Sequence, residues 1–317
     1  MVNIFLLFAL ALGGLIVSSN LLLKFVEKFA SRVKISPLVV GATLIAIGTS
    51  LPETSVALSA ITQGVSEVSF GDIIGSNIAN VCLILGIGIT LFPVRIGTEK
   101  TQRNNIILLL VTLAFAGLFL FPESVRKSFG IFMAVFYIVF LIVEIVWGEI
   151  GRSKEDKKAL AKMERVRGSA LLMLLGTAAS LLGLIISSKY LVSAAVTISK
   201  MMGVSDVVIG LSLIAVGTSL PELATTIASG FKRDWKLLYG DIQGSNIYNL
   251  SIIGAILLAS SSPGYRVDSF AIIFMVATTL VIIFLSHKYE GTHIPKFYGI
   301  LFLTVYLLYL FKIFKGF

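Results

Sequence analysis

Gly41-Ala42-Thr43-Leu44-Ile45-Ala46-Ile47-Gly48-Thr49-Ser50-Leu51-Pro52-Glu53 returns later in the chain as Gly210-Leu211-Ser212-Leu213-Ile214-Ala215-Val216-Gly217-Thr218-Ser219-Leu220-Pro221-Glu222, with ten of thirteen positions identical. Each copy sets a glutamate and a helix-breaking proline inside an apolar run. If that run lies in a bilayer, the carboxylate costs roughly 3 kcal/mol or more, and such a residue is read first as functional.

The composition places it in a bilayer. Of 317 residues, 56% are hydrophobic and 14% charged, with mean hydropathy +0.97; a soluble domain carries about 25% charged residues. Apolar runs long enough to cross about 30 Å of hydrocarbon as helices recur from end to end. Ten segments are expected, at 2–23, 37–62, 69–92, 104–122, 127–147, 168–199, 206–230, 237–260, 268–286 and 297–316. Residues 2–19 have no preceding Lys or Arg and no clean small-x-small cleavage site, so they read as the first span rather than a leader. The first and sixth segments carry extra apolar length and are expected to be long and tilted. The single cysteine, Cys82, excludes an internal disulfide. His287 and His293 share a short loop, and no His/Cys cluster suggests zinc.

A net charge of +9 raises the question of nucleic acid. Its distribution answers it. The loops after segments 1, 3, 5, 7 and 9 hold nineteen Lys and Arg, against six on the other side and Lys189 within segment 6. That is the positive-inside bias of a membrane protein. It places both termini outside and the basic stretch 149–167 in the cytoplasm, and needs no nucleic-acid partner. Trp147 and Trp235 fall near expected membrane boundaries, where indoles favour the interface.

The two halves are copies. Gly14-Leu15-Ile16-Val17-Ser18-Ser19 matches Gly183-Leu184-Ile185-Ile186-Ser187-Ser188, and Gly71-Asp72-Ile73-Ile74-Gly75-Ser76-Asn77-Ile78-Ala79-Asn80 matches Gly240-Asp241-Ile242-Gln243-Gly244-Ser245-Asn246-Ile247-Tyr248-Asn249. Gly14 to Gly183, Gly41 to Gly210 and Gly71 to Gly240 are all separated by 169 residues. Five segments per half is an odd number, so the second copy must enter the membrane upside down. The expected organisation is a first repeat at 1–148, a charged linker at 149–167 and an inverted second repeat at 168–317. In that construction the substrate site lies at midplane where the repeats meet.

Thr49 and Glu53 are four apart and share a helix face. Pro52 lacks an N–H and its ring opposes the carbonyl of Gly48, so the helix is expected to kink or unwind there. Pro221 does the same to Gly217 beside Thr218 and Glu222. Carboxylates, bare carbonyls and hydroxyls make an all-oxygen site for a hard cation. Calcium accepts about 6–8 such oxygens in flexible geometry, whereas magnesium retains its waters; sodium fits as well. Ser76 and Asn80, with their copies Ser245 and Asn249, either supply neutral oxygens to that site or hydrogen-bond between helices. Asn77 and Asn246 point about 100° away and read as packing links. Asp72 and Asp241, one turn before the serines, read either as helix N-caps beside glycine or as vestibule or proton-linked groups. Gly71, Gly75, Gly240 and Gly244 are expected to let helices approach closely.

The doubled Gly48-Thr49-Ser50-Leu51-Pro52-Glu53 and Gly75-Ser76-Asn77-Ile78-Ala79-Asn80 motifs resemble the two alpha-repeats of the calcium/cation antiporter superfamily, most nearly its prokaryotic sodium/calcium exchangers. The likeness covers essentially the whole chain. It implies an all-α polytopic membrane protein of ten transmembrane helices in two inverted five-helix repeats, with helices 2, 3, 7 and 8 forming the ion-binding core. It implies exchange of Ca2+ for Na+ by alternating access, helices 1 and 6 sliding across that core. Glu53 and Glu222 become the central carboxylates, with Thr49 and Thr218 giving main-chain carbonyls to calcium. Ala46, Ala215, Ser50, Ser219, Ser76 and Ser245 would serve sodium, and Asn80 would line the centre. The ions are cargo, with no resident cofactor and no enzymatic reaction; the setting is a prokaryotic plasma membrane and the working unit a monomer. Asn249 departs from the aspartate that relatives often carry, which leaves two central charges, from Glu53 and Glu222. Two carboxylates about 5 Å apart repel by roughly 3 kcal/mol at an effective dielectric of about 20, so an empty site should resist being carried through a closed state. The alternatives are a proton/calcium exchanger of the same superfamily, a passive channel, and an intramembrane aspartyl protease built on Asp72 and Asp241.

Overall fold

The computed structural model describes residues 2–32, 47–96, 99–150, 170–260 and 269–315. Among them the secondary structure is helical, and the extended backbone makes one isolated bridge, between Arg95 and His293. In chain order the helices are α1 (Val2–Arg32), α2 (Leu51–Thr62), α3 (Ser66–Ala79), α4 (Gly86–Leu91), α5 (Glu99–Gly117), α6 (Glu123–Ile150), α7 (Ala170–Met202), α8 (Asp206–Ile209), α9 (Ala215–Thr218), α10 (Leu220–Lys232), α11 (Trp235–Tyr248), α12 (Gly254–Ala259), α13 (Ser269–Lys288) and α14 (Lys296–Lys315). A π-helical turn, Asn80–Leu85, joins α3 to α4; a second, Gly210–Ile214, joins α8 to α9; a third, Asn249–Ile253, joins α11 to α12.

Eight continuous helical stretches among the described residues are long and apolar enough to cross a membrane. A ninth crossing is the pair Asp206–Thr218 and Leu220–Lys232, bent by 40°. The remaining expected crossing, segment 2, is described from residue 47 onward. Its first part, with Ala46, lies outside the described residues, as does the linker from residue 151 to 167. The long first and sixth segments are α1 and α7, of 31 and 33 residues.

Burial sorts the crossings. Of the most apolar stretch in Ser66–Leu91, 83% of the residues are buried, and 78% in Leu237–Ala259, against 22% for each of α1 and α7. Segments 3 and 8 are therefore the interior of the molecule. The outer helices show Leu10, Ile106, Phe132, Ile185 and Leu308 on their outward faces, as lipid contact requires.

Two apolar cores result. The larger includes Ile73, Ile78, Leu85, Phe115, Tyr137, Leu250, Met275 and Tyr306, and holds segments 3, 4, 5, 8, 9 and 10 together. The smaller, with Leu15, Val56, Val68, Leu184, Leu191, Ile198 and Ile214, joins α1 and α7 to segments 2, 3 and 7. Within it α1 and α7 pack against one another as a crossing pair. A Cβ on Gly14 would lie 2.6 Å from Ser187 Oγ, and one on Gly183 would press equally on Ser18 Oγ. Those two contacts are related by the same 169 residues.

Gly71 and Gly210 face each other where α3 crosses segment 7. A Cβ on Gly71 would sit 2.8 Å from Leu211 N and 2.9 Å from Gly210 Cα, and one on Gly210 would sit 2.9 Å from Asp72 N. Gly75 is equally close to Leu211 O and Ala215 Cβ, each at 2.7 Å. The expected close approach is thus present at Gly71 and Gly75. At Gly240 an added Cβ meets nothing within 4 Å among the described residues, and Gly41, which matches the Gly210 facing Gly71, lies outside them.

Candidate ion-binding site

The proline in each long motif ends one helix and starts another rather than bending a continuous one. Ser50 (φ −89°, ψ 11°) and Ser219 (φ −82°, ψ 8°) leave helical geometry, and α2 and α10 begin at the next residue. Pro52 and Pro221 then stand in the first turn, where an N–H has no intrahelical partner to lose. Glu53 and Glu222 follow within that turn, at the positive end of the helix dipole, which favours a carboxylate. The break leaves the carbonyl of Gly48 open, and Ser19 Oγ from α1 donates to it at 3.0 Å.

The carboxylates are held by hydroxyls from the opposite repeat. Ser219 Oγ donates to Glu53 Oε1 at 3.5 Å, and Ser50 Oγ to Glu222 Oε1 at 3.4 Å. Thr218 Oγ1 donates to Asp72 Oδ1 at 3.0 Å, and Thr49 Oγ1 to Asp241 Oδ1 at 3.2 Å. All four acids are buried, Glu53, Asp72 and Glu222 completely. In each, one oxygen has a hydroxyl partner and the other, Glu53 Oε2, Asp72 Oδ2, Glu222 Oε2 or Asp241 Oδ2, has none. Buried charges in proteins are paired or coordinate metals. Four buried carboxylates, each with one open oxygen, supply the all-oxygen chemistry that a hard cation requires.

The neutral donors gather at the same place. Ser76 Oγ lies 3.4 Å from Thr218 Oγ1, and Ser245 Oγ 3.2 Å from Thr49 Oγ1. Ala215 O accepts from Ser219 N at 3.2 Å. Asn80 Nδ2 donates to Asn246 Oδ1 at 2.8 Å, which leaves Asn80 Oδ1 open, and both side-chain polar atoms of Asn249 are buried without a partner. Asn246 Nδ2 also donates to the carbonyl of Asn77, so this asparagine links α3 to α11, as a packing role requires. Among the described residues no three Asp, Glu, His or Cys side chains converge on a single point. An ion here takes most of its ligands from hydroxyls, amides and carbonyls.

Two expectations about Asp72 and Asp241 are corrected. They are not N-caps: Asp72 lies inside α3, whose capping position is Val65, and α11 is capped by Asp234, which accepts from Leu237 N at 3.0 Å. Nor are the glutamates the only buried acids here, since the aspartates flank them, each hydrogen-bonded to a threonine beside a glutamate. The periodicity that put them on the serine face was the available signal. The capping preference of aspartate obscured it.

Other features carried no sequence signal. The π turns at Asn80 and Asn249 start on the site asparagines in both repeats, and such turns recur at functional sites. Tyr248, which replaces the Ala79 of the first repeat, bonds Thr54 Oγ1 at 3.0 Å and packs edge-on against Tyr137. It breaks the two-fold symmetry one residue from Glu53.

A family model described as "Sodium/calcium exchanger protein" matches this chain twice, at residues 3–146 and 172–315. The chain belongs to the sodium/calcium exchanger family. The two matched ranges are themselves displaced by 169 residues. A putative antiporter, CaxA, from Alkalimonas amylolytica is 33% identical over 90% of this chain and 89% of its own length. The sodium/calcium exchanger MaX1 of Methanosarcina acetivorans is 28% identical over 98% of both. Among solved structures, the sodium-calcium exchanger NCX_Mj soaked with sodium and strontium superposes with a TM-score of 0.65 at 28% identity, covering 98% of each chain. This family member is accordingly a multi-pass membrane antiporter of cations and not an enzyme. The intramembrane protease reading is set aside.

Proposed function

We propose that this exchanger moves Ca2+ against Na+ across a prokaryotic plasma membrane by alternating access, as a monomer with both termini outside. The single observation that carries the reading is the crossed bonding of the glutamates: each accepts from the serine of the other repeat's broken helix. A site assembled from both repeats changes its exposure whenever one repeat moves relative to the other.

Calcium is assigned to Glu53 and Glu222 with the main-chain carbonyls of Thr49 and Thr218, since two carboxylates and several neutral oxygens match its charge and coordination number. Sodium is assigned to the flanks, at Ser50, Ser219, Ser76, Ser245, Ala46 and Ala215, with Asn80 and Asn249 lining the centre. The names of MaX1 and NCX_Mj support sodium as counter-ion. The linker at 149–167 is assigned to the cytoplasm by its charge. Two structural facts support putting the loops after segments 3, 7 and 9 on one side, as the charge count does. Arg95 and His293, from the loops after segments 3 and 9, hydrogen-bond at 3.1 Å, and Phe92 stacks edge-on against Phe231 at the end of α10.

With Glu53 and Glu222 unneutralised, their mutual repulsion opposes occlusion; a bound divalent ion, or its monovalent replacements, removes that opposition. Exchange is then obligatory. The test is calcium uptake into proteoliposomes under an outward sodium gradient, or under a proton gradient alone. Sodium-driven uptake supports the proposal, and uptake driven by protons alone replaces it with the proton/calcium alternative.

A further inference from the structure

We propose that Asp72 and Asp241 are direct ligands for monovalent cations, one at each flank of the glutamate pair, so that the loaded carrier takes up more positive charge than two glutamates could balance. The inference rests on the exchange reading above and adds to it the residues that set how many monovalent ions accompany each cycle.

Around Thr218 Oγ1, a single hydroxyl proton faces Asp72 Oδ1 at 3.0 Å, Ile214 O at 3.2 Å and Ala215 O at 3.4 Å. Ser76 adds one more proton, directed at the same Asp72 oxygen at 3.3 Å. Asp72 Oδ1 thus shares its hydroxyl donors with two main-chain carbonyls, of which Ala215 O also accepts from Ser219 N, and Asp72 Oδ2 is buried with no donor at all. At the other flank, Thr49 and Ser245 share a hydroxyl contact beside Asp241, whose Oδ2 is equally unpartnered. Each pocket thus sets hydroxyl and carboxylate oxygens side by side, with one buried carboxylate oxygen left without a donor. A cation repairs that lack, because it is met by carbonyls, hydroxyls and a carboxylate at once.

The charge of the ion follows from the number of acids. Each pocket holds one aspartate, and no three acidic side chains converge among the described residues. One carboxylate among neutral oxygens balances a single positive charge. The two pockets are copies, since Asp72 with Thr218 becomes Asp241 with Thr49 under the 169-residue offset, so the same ion is expected at both.

The test uses Asp72→Asn and Asp241→Asn, which keep the shape and one acceptor oxygen for the threonine. Sodium-driven calcium efflux and calcium self-exchange are measured on the same reconstituted protein. Sodium binding is measured separately, as sodium-dependent thermal stabilisation of the purified protein. In each variant the sodium concentration for half-maximal efflux should rise at least about tenfold, the scale on which losing one charged partner registers. The cooperativity in sodium should fall, sodium stabilisation should weaken, and self-exchange, which needs no sodium, should persist. Unchanged sodium dependence in both variants overturns the proposal and leaves the exchange reading standing. Loss of self-exchange in step with sodium-driven flux also overturns it, since that is the signature of a structural role. If the wild type shows neither sodium-driven flux nor sodium stabilisation, the exchange reading fails with it.

Discussion

Glu53 and Glu222 sit in the first turn of restarted helices, so their charge is supported by helix N-termini and by one serine apiece. Both serine contacts are long for hydroxyl–carboxylate bonds, which favour about 2.5–3.0 Å, so the serines do not substitute for a cation. Lower pH should therefore slow transport, because a protonated carboxylate no longer attracts the ion; flux at fixed ion gradients across a pH series checks this, and a rate insensitive to acid argues against a carboxylate-based site. Ser19 offers a second residue-scale test. Its hydroxyl satisfies the carbonyl that Pro52 leaves open at Gly48. Ser19→Ala should cost about 1 kcal/mol of stability, the net worth of one hydrogen bond, and Ser19→Thr should restore it. Thermal unfolding in detergent measures both.

At the scale of the element, the crossing of α3 over segment 7 is set by glycine. At Gly71 the neighbours of an added Cβ are backbone atoms of Leu211 and Gly210, which have no rotamer to change. Gly71→Ala should reduce the yield of folded, monodisperse protein severely, because overpacking costs about 1–3 kcal/mol or more where nothing can give way. Gly13→Ala, on the exposed face of α1, should behave as wild type; size-exclusion profiles of the two variants decide. That difference was not legible in the sequence, since it depends on what lies opposite each glycine. The ten apolar runs were legible, and so were the two proline breaks, because length and missing N–H groups act locally. The π turns were not: Asn80–Leu85 and Asn249–Ile253 have the composition of ordinary helix. Asp72 and Asp241 fall between these cases. Spacing put them on the serine face, but only the meeting of α3 with segment 7, and of α11 with segment 2, shows that each aspartate answers to a threonine of the other half.

For the whole molecule, two cores rather than one suggest how the parts move. The large core binds segments 3, 4, 5, 8, 9 and 10, while α1 and α7 are attached through the smaller core and through glycine–serine contacts with each other. Two helices packed on one another and held in a core of their own are able to slide as a pair, as alternating access in inverted-repeat carriers requires. Sidedness is open to direct measurement, because the native Cys82 is fully buried and should stay silent to maleimides. A cysteine placed at Lys157 should label only from the cytoplasmic face, and one at Lys127 only from outside; the reverse pattern would invert the assigned orientation. The central claim, that a buried glutamate from each repeat forms one cation site, is tested most directly by calcium uptake into sodium-loaded proteoliposomes with Glu53→Gln and Glu222→Gln. The account predicts that each variant is folded and monodisperse yet carries no calcium, whereas uptake at the wild-type rate by either one would contradict it.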